Sequence, residues 1–477
     1  MVRSRYRLEH DLLGDKRVPA SAYYGIHTAR ALENFAISGV SMSVHPDLVN
    51  ALAAVKQAAA EANRELGLLS PEKAGAISAA CEDIRSGRLH EQFVVDVIQG
   101  GAGTSANMNA NEVVANLALE RLGHERGDYE VLHPIDDVNK GQSTNDVYPT
   151  AVRVALLCAI GRLLDAMDVL RTAFRGKSEE FTDVLKMGRT QLQDAVPMTL
   201  GQEFKTYAIM IGEDELRLAE ASRLLYEVNL GGTAIGTGLN TSPEYAELAC
   251  GHLARITGIP LVVSPDLVEA TQDAGSLVQL SGVLKRIAVK VSKICNDLRL
   301  LSSGPRAGFN EINLPPVQAG SSIMPGKVNP VIPEVVNQIA FEVIGNDVTV
   351  SVAAEAGQLQ LNAFEPIMAH SLFESVNHLE AGFRTLARRC VDGITANVDH
   401  LRAQVQASLG LATGLNPLIG YAAATAIAQE AAETGRSVPE VALSTGLLTK
   451  EELDEALCPE TLAGVPGPPD VLREDST

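Results

Sequence analysis

Residues 275–301 read GSLVQLSGVLKRIAVKVSKICNDLRLL, and their apolar residues recur at alternating steps of three and four. This spacing is typical of an α-helix with one narrow apolar stripe, as in a coiled coil. The stripe consists of Leu277, Leu280, Leu284, Ile287, Val291, Ile294, Leu298 and Leu301. A long helix with so narrow a stripe needs partner helices of similar length, so the segment predicts an elongated helix bundle.

A second stripe follows Pro149, which should block a helix from starting earlier. It consists of Leu156, Ile160, Leu163, Met167, Leu170 and Phe174. Each of the two segments approaches a length of about 45 Å at 1.5 Å per residue. The apolar stretch from Val335 to Val350 should belong to the same bundle. One chain supplies few helices of this length, so we expect the bundle to be completed by oligomerisation.

Composition supports a helical protein of several domains. The chain has 477 residues, which at roughly 100–200 residues per domain gives two to four domains. Aromatic residues make up only 4% and tryptophan is absent, which favours helix packing over a β-sandwich. Alternating βαβ signals are missing, which argues against a Rossmann sheet. We predict a mostly helical N-terminal domain (1–142), a central long-helix domain (143–396) and a small helical C-terminal domain (397–477) that ends in the frayed stretch GVPGPPD.

The formal net charge of −20 argues against a nucleic acid or an anionic membrane as partner, since both need basic surfaces. The N-terminus has no apolar signal region, and no stretch reaches about 18 uninterrupted apolar residues. The six cysteines are scattered without CxxC spacing, so we expect reduced core residues of a cytoplasmic protein. The ten histidines form no HxxxH or HxH pair, so no metal site is predicted.

Four polar stretches interrupt the helical pattern. They are GAGTSANMN (101–109), GQSTND (141–146), GRTQLQD (188–194) and GSSIMPGKVNP (320–330). Each places hydroxyl or amide side chains beside a glycine, which lets the backbone approach a ligand closely. Any one of them could equally be a helix cap or a turn, but four in one chain favour a binding site.

These stretches contain many neutral donors and a single lysine. That combination suits a small dianion whose charge shifts during a reaction, because preorganised hydrogen bonds stabilise charge where it develops. The glycine-rich segments 100–103 and 231–238 lack the GK[ST] ending and the GxGxxG spacing, which argues against a nucleotide site.

The motifs carry a family resemblance. GSSIMPGKVNP resembles the signature of the aspartase/fumarase superfamily, and VIPEVVNQIAFEVIGND, which follows it, is similar to the aspartate ammonia-lyase branch. Further similar segments occur in the same order, from about residue 7 to about residue 455: DLLGDKRVPASAYYGIHTARALENF, GAGTSANMNANEV, KGQSTNDVYPTA, KMGRTQLQDAVPMTLGQEF, LGGTAIGTGLN and EAGQLQLNAFEP. The resemblance implies a mostly α, three-domain subunit. It also implies a homotetramer with a central twenty-helix bundle and active sites shared between three subunits.

The resemblance also implies a reaction, the reversible elimination of ammonia from L-aspartate to give fumarate through an aci-carboxylate. Ser321 would be the catalytic base, acting as an alkoxide near Lys327, on a lid that Gly320 and Gly326 allow to close. Hydroxyl donors to the β-carboxylate would be Thr104, Ser143, Thr144 and Ser322. The α-carboxylate would be held by Thr190, Lys327 and Asn329, with Asn145 near the amino group.

Gln191 stands where fumarases, and some aspartases, have histidine. A histidine relay therefore cannot operate there, and Ser321 is left as the candidate base. The alternatives are a class II fumarase and a non-catalytic protein on the same fold. No cofactor is predicted, and activation by a divalent cation or by substrate stays open. So do the roles of Glu334 and of three basic residues, Lys16, Arg17 and Arg30, which would either add positive potential or form surface salt bridges.

Overall fold

A computed structural model describes residues 5–464, and these are mostly helical, as the apolar stripes predict. The predicted frayed end, GVPGPPD, lies outside the described residues apart from Gly464. The chain divides into two compact units. The first comprises Met1–Asp165, Asp214–Val289 and Ile339–Glu380, and the second Ala166–Glu213, Lys290–Gln338 and Ala381–Thr477.

The N-terminal part begins with an antiparallel hairpin of two strands, β1 (Tyr6–Asp11) and β2 (Gly14–Pro19). Helices follow: α1 (Ile26–Asn34), α2 (Pro46–Glu65), α3 (Pro71–Arg85) and α4 (Thr104–Arg121). A single π-helical turn, Pro134–Val138, precedes the next helix, α5 (Thr144–Glu180).

The middle of the chain contains four further long helices and short paired strands. In chain order they are β3 (Leu185–Thr190), β4 (Gln193–Thr199), α6 (Leu200–Ser222), β5 (Glu227–Val228), α7 (Tyr245–Thr257), β6 (Val262–Val263), α8 (Leu267–Gln272), α9 (Gly275–Leu301), β7 (Ile312–Asn313), α10 (Val331–Glu355) and α11 (Glu365–Arg389). Strands β3 and β4 form an antiparallel hairpin, and β5 pairs with β6 in parallel. The C-terminal part consists of β8 (Thr395–Ala396), which pairs with β7, and of α12 (Val398–Ala407), α13 (Ala412–Thr434), α14 (Val438–Thr445), α15 (Lys450–Ala456) and α16 (Pro459–Ala463).

Both apolar stripes are buried, which confirms the prediction of packed long helices. All eight stripe residues of α9 and all six of α5 are buried in the protein. The stretch from Val335 to Val350 lies within α10, also as predicted.

The start of α5 differs from the prediction, because the helix begins at Thr144 and continues through Pro149. Proline has no N–H, so the carbonyl of Asn145, four residues earlier, loses its helical partner. The side-chain amide of Asn229 donates to that carbonyl at 3.0 Å. A distant side chain therefore replaces the missing helical hydrogen bond, and Pro149 does not end the helix.

The cysteine prediction was right for four residues and wrong for one. Cys81, Cys250, Cys295 and Cys390 are buried and free, Cys458 is half-buried, and Cys158 is exposed on α5. Two helical segments among the described residues, Thr144–Glu180 and Leu409–Thr434, have the length and apolar composition that crossing a membrane requires. In Thr144–Glu180, 72% of the most apolar stretch is buried inside the protein, which is typical of a core helix and is weak evidence for a membrane span.

Candidate active site

The loop 141–146 leads into α5 and carries three of the predicted residues, Ser143, Thr144 and Asn145. A buried carboxylate, Asp146, fixes this loop by accepting backbone N–H groups from Ser143 at 2.9 Å and from Gly231 and Thr233 at 3.0 Å each. Burial raises the pKa of Asp146 to about 6, although these hydrogen bonds and the charge of Lys56 oppose the shift.

Asn145 is held by the glycine-rich segment 231–238. Its side-chain amide donates to the carbonyl of Ala234 at 2.7 Å, and its own carbonyl accepts from Asn229. The segment 231–238, whose glycines are also typical of phosphate-binding loops, therefore fixes the position of Asn145 in the loop 141–146.

Thr144 is oriented by a buried lysine that the sequence analysis missed. Lys56 on α2 is completely buried, and its ammonium donates to Asn107 Oδ1 at 2.6 Å, and to Asn139 Oδ1 and Gln142 Oε1 at 2.9 Å each. Asn107 Nδ2 in turn donates to Thr144 Oγ1 at 3.0 Å. Because lysine can only donate, the oxygen of Asn107 must face Lys56 and its nitrogen must face Thr144. The hydroxyl proton of Thr144 stays available for a ligand.

Burial lowers the pKa of Lys56 to about 7, while the charge of Asp146 acts in the opposite direction. Three amide oxygens around one ammonium use all its hydrogens, so the geometry fits the charged form. The one sequence signal for Lys56 is a lone cation within the alanine-rich stretch ALAAVKQAAAEA. Its three acceptors come from two other segments, so no local motif contains them together.

Thr104 is the first residue of α4, and it is exposed. Its hydroxyl donates to the carbonyl of Gly101 at 2.7 Å. The preceding Gly103 has φ +91°, and a Cβ there would lie 2.4 Å from the ring of Tyr148 on α5. Only glycine allows α4 to begin this close to α5.

A cavity of about 360 Å³ opens beside the loop 141–146. Its lining includes Asn139, Gln142, Ser143, Thr233 and Asn240. Ile135, Ala234 and Leu239 add apolar surface, so Ser143 faces a space of mixed lining, which suits a small ligand held by a few polar groups. A larger cavity of about 770 Å³ lies along α5 and α6 in the second unit, but none of the predicted residues lines it.

The stretch 320–330 forms a loop in which the hydroxyl oxygen of Ser321 accepts two backbone hydrogen bonds. Ser321 Oγ accepts the backbone N–H groups of Ile323 at 3.2 Å and Met324 at 2.8 Å. Two N–H donors on one hydroxyl oxygen stabilise negative charge on it and favour loss of its proton. Lys327 and Ser322 lie in the same loop, and both are exposed.

The base of this loop is closed by two contacts to Gly320. Its N–H donates to the carbonyl of Lys327 at 2.9 Å, and its carbonyl accepts from Asn329 Nδ2 at 2.7 Å. A Cβ at Gly320 would lie 2.7 Å from the carbonyl oxygen of Lys327 and 2.7 Å from the backbone nitrogen of Asn329. Because Gly320 has no side chain, the two backbone segments at the base of the loop can approach this closely.

Thr190 and Gln191 lie at the tip of the β3–β4 hairpin, which the sequence had indicated only as a polar stretch. Thr190 is the last residue of β3 and pairs with Gln193, so the turn consists of Gln191 and Leu192. Both turn residues have positive φ, 54° and 63°. All three residues from Thr190 to Leu192 are exposed.

The hairpin is anchored at Arg189, next to Thr190. Its guanidinium forms an ion pair with the buried carboxylate of Glu311, which Lys186 also contacts at 2.6 Å. The guanidinium also lies over the ring of Phe309, 4.5 Å from the centroid. This buried cluster fixes the strand end that presents Thr190.

The structure joins some of the predicted residues to one another and leaves others apart. Within residues 5–464 the structure joins Thr144 to Asn107, and it holds Ser143 and Asn145 on the same loop through Asp146. In the second unit Ser321 and Asn329 belong to one closed loop. Among the described residues, no hydrogen bond joins that loop to the hairpin tip.

Two of the three N-terminal cations, Lys16 and Arg30, form ion pairs. Lys16 contacts Glu33 at 2.7 Å, and Arg30 makes two contacts with Asp11 at 2.7 and 2.8 Å. The Arg30 guanidinium holds the pKa of Asp11 below its usual value. For Lys16 and Arg30 the structure favours the salt-bridge interpretation.

Comparisons with known proteins agree with the motifs. The profile of a family described as lyase matches residues 14–345, and that of the fumarase C C-terminus matches residues 411–464. An aspartate ammonia-lyase of Pseudomonas canavaninivorans is 60% identical over 458 residues, which are 96% of this chain and 97% of the relative. The aspartate ammonia-lyase of Escherichia coli K12 is 56% identical over 457 residues, 96% of each chain.

Two solved structures are similar over nearly their full lengths. A Brucella melitensis protein described as fumarate lyase:delta crystallin, bound to cobalt, has a TM-score of 0.93 and 58% identity, covering 95% of this chain and 98% of that one. A class II fumarase from Schistosoma mansoni has a TM-score of 0.92 but only 35% identity, with coverage of 96% and 99%. The fold is therefore shared with fumarases, while the sequence is closer to the ammonia-lyases.

Proposed function

The chain belongs to the lyase family that includes the aspartate ammonia-lyases and class II fumarases, and we propose that it is an aspartate ammonia-lyase. It converts L-aspartate reversibly to fumarate and ammonia. The observation that carries this conclusion is the identity of 56–60% to ammonia-lyases along 96% of the chain, against 35% to a class II fumarase.

The difficult step is removal of a proton from the carbon beside the β-carboxylate, because a second negative charge develops on that carboxylate. Ser321 takes this proton as an alkoxide, and the electron pair of the C–H bond moves into the carboxylate to give the aci-carboxylate. The N–H groups of Ile323 and Met324 support the role of Ser321, because they stabilise its charged oxygen before the proton moves. Collapse of the aci-carboxylate forms the double bond and expels ammonia.

Uncharged donors stabilise the aci-carboxylate in this proposal. Thr144 suits this role, since the network from Lys56 through Asn107 leaves its hydroxyl proton free. Ser143 and Ser322 are the other proposed donors to the same carboxylate, and Thr104 joins them once its hydroxyl leaves the carbonyl of Gly101. Loss of one such donor costs about 10²- to 10³-fold in rate in other enzymes.

The other groups hold the rest of the substrate. Thr190, Lys327 and Asn329 bind the α-carboxylate, and Asn145 lies near the amino group. Gln191 lines the site in place of the histidine of fumarases. Closure of the loop 320–330 excludes water and brings Ser321 to the substrate.

We propose that the site is completed in a homotetramer, each site drawing loops from three subunits, around a bundle of twenty helices. An exposed apolar row on α10 supports association: Phe341, Val348 and Val352 are each at least 60% exposed and recur at steps of seven and four. The three-domain division at residues 142 and 396 is part of this proposal. The cytoplasm is the proposed compartment, in keeping with six free cysteines.

One assay separates the activities. The purified chain is supplied with L-aspartate or with L-malate, and fumarate is followed by its ultraviolet absorbance while ammonia is measured separately. Equal amounts of fumarate and ammonia are expected from aspartate, with little or no fumarate from malate. Fumarate from malate alone would establish a fumarase instead. A tetramer that turns over neither substrate would support the non-catalytic alternative.

A further inference from the structure

Helix α11 carries three side chains of the types that bind metal ions, all on one face. They lie outside the four polar stretches of the sequence. His370, Glu374 and His378 follow one another at steps of four, which places them in a row on a helix. The row contains no HxxxH pair, because glutamate occupies its middle position. None of the three belongs to the predicted reaction site.

A fourth side chain, His45, lies against this row from the residue before α2. His45 Nε2 is 3.0 Å from His370 Nδ1, although the two residues are 325 positions apart. The ring of His45 also packs on Phe373, with 5.0 Å between ring centroids. One nitrogen of each histidine and one carboxylate oxygen of Glu374 lie within 4.8 Å of one another.

The surroundings of His45 are unusual for a structural histidine. Its residue surface is only 3% exposed, and its Nδ1 is buried without a hydrogen-bond partner among the described residues. Within residues 5–464, the ring of His45 thus has one hydrogen-bond partner, and that partner is another imidazole. Burial disfavours a charged imidazolium, so the two facing nitrogens must share one proton or repel each other through their lone pairs.

A metal ion resolves this arrangement. Tetrahedral bonds of 2.0–2.1 Å to two imidazoles place the nitrogens about 3.3 Å apart, close to the distance between the two histidines. The carboxylate of Glu374 supplies a third ligand, and water a fourth. We propose that His45, His370 and Glu374 bind a first-row transition-metal ion such as Zn²⁺ or Co²⁺, which links the start of α2 to α11.

The ligand types decide which ions fit. Two imidazoles and one carboxylate suit Zn²⁺, Co²⁺ or Ni²⁺, whereas Mg²⁺ prefers oxygen ligands and keeps most of its water.

His378, at the more exposed end of the row, is not one of the proposed ligands. His378 contacts Glu342 at 2.7 Å and Glu374 at 3.4 Å, so it holds the Glu374 carboxylate from the outer side.

The test uses the whole chain without a histidine tag, freed of metal with a chelator. Co²⁺ is added while visible absorption and the unfolding temperature are recorded. One Co²⁺ per chain, a tetrahedral absorption band and a rise in Tm with metal concentration are expected, and excess Mg²⁺ should not compete. Non-saturating binding, or equal stabilisation by Mg²⁺, would overturn the site.

Variants locate the ion within the row. His370→Gln and Glu374→Gln each remove a proposed ligand, so each should weaken Co²⁺ binding by more than the roughly 10- to 100-fold that loss of an outer-shell partner costs. Both side chains are partly exposed, so the fold should tolerate the changes, and His45→Gln offers an independent third test. His378→Gln removes only the outer support of Glu374, so its loss of affinity should stay within that range and the stoichiometry should remain one Co²⁺ per chain. If His378→Gln abolishes binding while His370→Gln does not, the ion lies in the outer group of Glu342, Glu374 and His378, and the proposal fails.

Discussion

The side-chain nitrogen of Asn107 donates to Thr144 Oγ1 at 3.0 Å, while its oxygen faces the ammonium of Lys56 at 2.6 Å. The lysine thereby determines which end of the amide meets the threonine. Since Thr144 already accepts one hydrogen bond, its own proton is directed to another acceptor. The proposed acceptor is the carboxylate on which charge develops.

Asn107→Asp tests this relationship. A carboxylate at position 107 still accepts from Lys56, so the fold should persist, but it can only accept from Thr144 and therefore captures the hydroxyl proton. We expect kcat/KM for L-aspartate to fall by about 10²-fold, the loss typical of one removed donor. Initial rates of fumarate formation, together with thermal unfolding curves, measure both effects.

The matched control is Asn109→Asp on the same helix. The side chain of Asn109 donates to the carbonyl of Gln92 and accepts from the N–H of Val94, so it is bonded to these backbone groups and not to Thr144. Its replacement should affect stability more than turnover. An Asn107→Asp protein with full kcat/KM would show that the orientation of Thr144 does not matter for the reaction.

Ser321 and Ser322 are adjacent hydroxyls to which different roles are assigned. Ser321→Ala removes the proposed base, so kcat should fall by about 10²- to 10⁴-fold with little change in KM. Ser322→Ala removes a donor that also binds the substrate before reaction, so KM should rise as well. Steady-state kinetics of both variants decide the matter, and normal turnover by Ser321→Ala would rule out the serine base.

Sequence periodicity was sufficient to predict the long helices, because the apolar stripe on α9 follows from the local spacing of its residues alone. It was insufficient at Pro149, where continuation of α5 depends on Asn229, eighty positions later in the chain. The same distinction holds in the site. Ser321 lies in a recognisable motif, whereas Lys56 acquires its role only when α2, α4 and the loop before α5 fold together.

Asp146 predicts an acid limit to activity. Burial raises its pKa to about 6, so lowering the pH through 6 adds a proton to a carboxylate that otherwise accepts three N–H groups. The protonated group holds Gly231 and Thr233 less firmly, and the support of Asn145 weakens. We expect kcat/KM to decrease below about pH 6 and to be maintained above it.

Asp146→Asn separates this effect from general acid unfolding. The variant should be less active at neutral pH and should lose the decrease near pH 6, since no carboxylate remains to titrate. Circular dichroism between pH 7.5 and 5.5 checks that helical content is retained. An unchanged acid limb in Asp146→Asn would assign the titration to another group.

The turn of the β3–β4 hairpin allows a test of Gln191 against its neighbour. Gln191 and Leu192 both adopt left-handed backbone conformations, φ 54° and 63°, which cost residues with a Cβ about 1–2 kcal/mol. Glycine removes this cost but loses more entropy on folding, so Leu192→Gly and Gln191→Gly should each raise the free energy of unfolding by about 0.5–1 kcal/mol. Only Gln191 is assigned to the site, so Gln191→Gly should lower kcat/KM by about tenfold, the cost of losing one hydrogen bond to the substrate, while Leu192→Gly stays fully active. Denaturant unfolding and initial rates compare the pair directly, and equal activity of both glycine variants would remove Gln191 from the substrate site.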